Sequence, residues 1–377
     1  MRRQRLHFSA ILPLVLLLGS ACAPTPPTFH AQQIPKTLSE WGQLHVESGV
    51  LGPAGGVEPY DLNLALFSDY AHKLRTVWIE GEEPARYDDV ETFDFPVGTV
   101  ITKTFYYPKG ENGQVVKTTA TSATRVPLDE NRLMETRVLV RREQGWIALP
   151  YVWNEEQTEA TLEVIGASFD LQMTSADGQV TDFEYIVPDS NQCAGCHVTN
   201  QTTKELRPIG PRARHLNREL DYTGGAENQL QRWARLGLLD EVPATAPQTA
   251  FWDGTTETVP AAGSPELEAA ARGYLDINCA HCHNRVGPAD TSALFLEPET
   301  PSDSFGLGRC KPPVAAGRGT GDRLYAIHPG RAGESILTYR MRETDPSIAM
   351  PELGRSTAHA EGVELVARWI NSLEGEC

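Results

Sequence analysis

The run Cys279-Ala280-His281-Cys282-His283, with an earlier copy at Cys193-Ala194-Gly195-Cys196-His197, constrains this chain more than any other feature. Two cysteines three apart, followed at once by histidine, suit covalent attachment of c-type haem, because each thiol adds to one vinyl group and the histidine reaches the iron. Two haems are therefore expected, one on Cys193 and Cys196 with His197 as proximal ligand, one on Cys279 and Cys282 with His283. A shared zinc site would need four ligands closed around one ion, and the copies lie 86 positions apart. His281, inside the second motif, reads as a spacer residue.

The amino terminus has the form of an export signal. Arg2, Arg3 and Arg5 precede a short apolar run, Ile11 to Leu18, and the small residues Gly19-Ser20-Ala21 lead into Cys22. The run is too short to span a bilayer, and the small residues before Cys22 resemble a bacterial lipobox. The expectation is a signal peptide over 1–21, lipidation of Cys22, and a Pro-rich tether over 22–37 that holds the body at a periplasm-facing membrane surface. In that oxidising compartment the two cysteines left over, Cys310 and Cys377, are expected to pair. The net charge is −17, and −20 once the three arginines of 1–21 are gone. That sign disfavours nucleic acid as a partner and favours a basic redox protein.

Residues 38–188 are rich in strand signals. Arg75 to Glu80, Val100 to Tyr107, Thr136 to Val140 and Trp146 to Val152 are β-branched and aromatic runs, with Gly145 between the last two. Asp177-Gly178 marks a hairpin between Phe169 to Thr174 and Val180 to Val187. The stretch 189–263 holds the first motif, a helix over Gln229 to Leu239 and a linker from 240. Over 264–377, Ser264 can cap a helix starting at Pro265 and running through Gly273 and Tyr274 into Cys279. Val363, Val366, Trp369 and Ile370 mark a terminal helix, and Gly273 is expected to let the two helices cross closely. This last section resembles the class I cytochrome c fold. The expected class is thus α+β and multidomain: a β-sandwich or barrel-like domain, then an all-α class I cytochrome c domain.

In that fold the sixth iron ligand is a methionine on a loop before the last helix, and Met350 matches in type and order, with Met341 as fallback. Gly287-Pro288 is the expected carbonyl source for the His283 ring. For the first haem the candidate sixth ligand is His215, with Met173, Met134 and His72 behind it. An iron with no such ligand would be open to peroxide or gases. The runs Ala65-Leu66-Phe67-Ser68-Asp69-Tyr70, Phe95-Pro96-Val97-Gly98-Thr99-Val100, Tyr151-Val152-Trp153-Asn154 and Leu275 to Asn284 together resemble a family of bacterial diheme c-type cytochrome lipoproteins. The resemblance implies two haems, a β-rich amino-terminal part and electron transfer rather than catalysis. The alternative is an enzyme like the diheme peroxidases, with an open first haem.

Overall fold

The computed structural model describes residues 25–119, 124–314 and 316–377. The signal segment 1–21 and Cys22 lie outside the described residues. At the centre is a six-stranded antiparallel sheet, in spatial order Ala160–Leu162, Gly145–Trp153, Asn131–Arg142, Thr99–Pro108, His72–Ile79 and Glu58–Tyr60. Gly145, at φ +115°, takes the left-handed turn between the second and third of these.

Side chains alternate across a strand, so the register sorts them into two faces. One face carries Leu74, Val100, Val138, Leu149 and Tyr151, all buried. Its polar members satisfy each other: Thr76 with Thr102 at 2.6 Å and Thr104 with Thr136 at 2.8 Å between hydroxyls. This face is covered by Leu38 and Trp41, and by a small sheet of Leu44–Glu47, Val50–Pro53 and Val126–Pro127. The end of the expected tether belongs to this cover. Tyr151 donates to the Pro35 carbonyl at 2.9 Å and Arg142 to that of Gln33 at 2.6 Å, so these residues run along the sheet rather than away from it.

The opposite face is not uniform. At one end Phe105, Tyr107 and Met134 pack under the sheet of Val115–Val116, Ala167–Thr174 and Val180–Val187, whose last two strands form the hairpin expected around Gly178. At the other end Val77, Ile79 and Ile101 enter a large core with Trp233, Leu267, Tyr274, Val366 and Trp369. Between these apolar ends the register places Lys73, Arg75, Lys103 and Arg137.

Six α-helices lie among the described residues: α1 Ser190–His197, α2 Ala213–Leu216, α3 Gln229–Arg235, α4 Pro265–Leu275, α5 Ile336–Arg342 and α6 Ala360–Ser372. The Asp189 carboxylate caps α1 by accepting from the Asn191 and Gln192 amides, both at 2.7 Å. Ser264 caps α4, accepting from the Leu267 amide at 3.2 Å, and α4 continues through a wide turn, Asp276–Ala280, into the second motif. α3 stops short of the expected Leu239, with Gly237 in the left-handed region at φ +74°. Cys310 and Cys377 are joined in a disulfide that closes 67 residues.

The expected class is corrected. β-structure predominates, and no all-α cytochrome c domain is evident among the described residues. The stretch between α4 and α5 is irregular, with short single turns. The helices also lack a core of their own, because α4 and α6 bury their apolar faces in the same cluster as the sheet residues Val77, Ile79 and Ile101. The expected helix crossing is reversed too. A Cβ on Gly273 would meet Leu64 and Thr249 at 2.5 Å, whereas Gly362 of α6 is the close-approach residue, where a Cβ would lie 2.4 Å from the Tyr274 hydroxyl of α4.

Candidate functional site

Folding brings the two five-residue motifs into contact. The Cys282 thiol lies 3.7 Å from the Gly195 carbonyl, and the flanking chains are stitched together. The Gln201 amide donates to the Val286 carbonyl at 2.7 Å, and Asn284 Nδ2 donates to that of Thr199 at 3.2 Å. A Cβ on Gly195 would meet the Leu353 side chain, at 2.7 Å from its Cδ1. All four motif cysteines are free thiols. Burial pushes the thiols of Cys279 and Cys282 up to about 12, the reverse of what thiol–disulfide exchange uses. No group of three or more His, Cys, Asp or Glu is arranged to hold a metal ion among the described residues, although four thiols and two motif histidines lie in adjoining turns.

Beside the second motif opens a crevice of about 410 Å³, lined by Cys279, Cys282, His283, Leu296, Ile336 and Met350 among others. This is in the range of small-molecule and cofactor sites. Burial holds the His283 ring neutral, down to about 4, as an iron ligand must be. Its Nδ1 lies 3.5 Å from the Ser292 hydroxyl and close to the Leu294 main chain, not at Gly287-Pro288. The turn at Gly287 instead folds back on its own motif, where a Cβ would lie 2.4 Å from the Cys282 carbonyl. Both methionines reach the crevice, but they differ. Met341, on α5, is 7 % exposed and packed in the large core, while Met350 sits on the irregular loop before α6 with surface left over.

That loop is held from the sheet side by the run Ala65 to Tyr70. The Asp69 carboxylate accepts from the Ser356 amide at 2.9 Å, and from the Thr357 amide and hydroxyl, both at 2.7 Å. Arg355 then donates to the Met350 carbonyl at 2.9 Å and the Thr357 carbonyl at 2.9 Å. Two residues before Asp69, the Phe67 amide donates to Asn278 Oδ1 at 2.8 Å, directly before Cys279. One connecting loop thus ties together the motif side and the methionine side of the crevice. The sequence showed Asp69 only as part of a run without an assigned role.

At the first motif, Nδ1–H of His197 donates to the Arg207 carbonyl at 2.6 Å, which leaves Nε2 as the bare nitrogen. Burial, with help from the Lys103 charge, pushes this ring down to about 3. The cationic band of the central sheet faces this motif. Arg137 is paired with Glu135 at 2.6 Å and Arg75 with Asp61 at 2.5 Å. Lys73 donates to the Leu66 carbonyl at 3.0 Å, and neither Lys73 nor Lys103 has an ion-pair partner among the described residues. Burial, reinforced by Arg137 and Arg75, pushes the Lys103 ammonium down to about 7, while its side chain keeps some accessible surface. A lysine at the inward position of the apolar strand Thr99–Pro108 was the available signal for it.

The other residues expected near the first motif have partners of their own. His215 is 1 % exposed, with Nε2 2.8 Å from Asp276 Oδ2, in a network with Arg214 at 2.7 Å, and its Nδ1 is without a hydrogen-bond partner. Met134 and Met173 are buried in the core under the hairpin sheet. His72 Nε2 is bonded to Thr118. No family model, no curated protein and no solved structure matches this chain.

Proposed function

We propose that this chain is an exported, lipid-anchored diheme c-type cytochrome that carries electrons between redox partners. The observation that supports the reading best is the contact between the two motif turns, with Cys282 Sγ 3.7 Å from Gly195 O, beside a crevice that also holds a methionine. A closed zinc site would also bring two Cys-x-x-Cys turns together, but no three of the His, Cys, Asp or Glu side chains are arranged to hold such an ion among the described residues. When bound, haem c supplies a one-electron iron couple.

The residues present fit two such groups. Cys193 and Cys196, and Cys279 and Cys282, supply the thiols, and neutral His197 and His283 the proximal nitrogens. Met350 offers a thioether, which favours the ferrous state and keeps small molecules off the iron. Lys103 and Lys73, buried amines without carboxylate partners among the described residues, are suited to the carboxylates of the first haem, whose charge would favour their protonated form. Anchoring through Cys22 and a periplasm-facing location belong to the same proposal, as does a basic partner steered by the acidic surface. No helix among the described residues is long and apolar enough to cross a membrane.

An anaerobic potentiometric titration of the matured protein, followed at the haem bands, tests the reading. Two one-electron steps and no peroxide turnover are expected. Sustained peroxide turnover with a reduced donor would replace the carrier by a diheme peroxidase-like enzyme.

A further inference from the structure

His281 is 7 % exposed, and its Nδ1 has no hydrogen-bond partner. A buried imidazole without a partner is costly unless something outside the chain satisfies it. The ring lies on the wall of the crevice where Gly195 and Cys196 of the first motif also stand. The charges that act on it come from both sides, Arg212, His283 and Asp276 before Lys103, and His281 in turn acts on His197. Of the other candidates, His72 is bonded to Thr118 and Met134 and Met173 lie in the hairpin core, while His215, whose Nδ1 is also unpartnered, is fixed through Nε2 to Asp276 at the end of α4.

We propose that the imidazole of His281, the spacer residue of the second motif, is the sixth ligand of the iron held by Cys193, Cys196 and His197. The proposal rests on the diheme reading. Coordination adds one iron–nitrogen bond from the ring's lone pair and breaks none in the chain. Each motif then contributes to both sites, the second giving His283 to its own iron and His281 to its neighbour's. The first site is closed to exogenous ligands, and the stitching between the motifs acquires a purpose, since it holds the second motif's spacer against the first.

The test uses the full chain matured with haem, compared with His281→Ala and Lys103→Leu. The wild type is expected to be low-spin at both sites and not to bind carbon monoxide. His281→Ala should gain a high-spin component and bind one carbon monoxide per protein, while the sulfur-to-iron band of the Met350 site is kept. Added imidazole should restore the low-spin spectrum, which a merely structural defect would not allow. The ligand assignment alone is overturned if both haems are present and the wild type binds carbon monoxide at the first site. An unchanged His281→Ala spectrum, or opening of the iron by Lys103→Leu instead, also overturns it. A protein without haem overturns the functional reading together with it.

Discussion

Met350 and Met341 reach the same crevice, and their surroundings decide between them. Met341 fills the core on a regular helix, while Met350 stands on a loop tied to Arg355 and keeps accessible surface. Met350→Ala is therefore expected to abolish the long-wavelength sulfur-to-iron band of the oxidised protein and lower the potential of that site. Met341→Ala should keep the band and cost stability, about 2–5 kcal/mol by urea unfolding. The reverse pattern would exchange their roles. Lys103→Leu removes a positive charge beside His197 and should lower the potential of the first site, because a nearby cation favours the reduced iron. The motif thiols, His197, His283 and Met350 could be singled out as candidates from spacing and order along the chain. His281 could not, since burial and a missing partner are facts of three-dimensional packing.

Among elements, the connection Ala65 to Tyr70 is the decisive one. It joins two strands, yet its hydrogen bonds go to Asn278 and to residues 356 and 357, more than two hundred positions away. Asp69→Ala removes a buried carboxylate that receives three donors, a loss of about 2–3 kcal/mol. It is expected to weaken the Met350 band, while Asp69→Asn, which still accepts from the amides, should retain most of it. Equal bands in both variants would show that the loop is held by other contacts. A second junction is the Asp276 site, where the end of α4 meets Arg214 and His215. Burial would raise the Asp276 carboxyl, but His215 and Arg214 hold it well below the usual range. Its contribution is thus present above about pH 4, the unfolded value, and is lost as pH falls toward the lower folded value. Asp276→Asn leaves Arg214 buried without its anion and should cost about 3–5 kcal/mol at neutral pH. It should also flatten the acid side of the stability curve, which urea midpoints taken from pH 5 downward would measure.

For the whole molecule, the strand runs, the Asp177-Gly178 hairpin and the capped start of α4 were legible because each depends on local chemistry. The absence of a separate all-α domain among the described residues was not. Apolar residues of α4 and α6 announce a buried face without saying what buries it, and that proved to be the central sheet as well as each other. The contact between the two motifs was equally invisible, because it depends on how α1 and the end of α4 are carried to the same place. The Cys310–Cys377 bond fastens the carboxy terminus next to Lys311 and Pro312 on the crevice wall. Closing this loop is worth about 4 kcal/mol in the chain-entropy model, so Cys310→Ser with Cys377→Ser should lower the unfolding midpoint accordingly. The account depends most on porphyrin bound covalently at both motifs, and the intact mass under denaturing conditions tests this directly. In a host competent for c-type maturation, the chain should carry the added mass of two haems, falling to one in Cys193→Ala/Cys196→Ala. A chain of bare polypeptide mass from that host would contradict it.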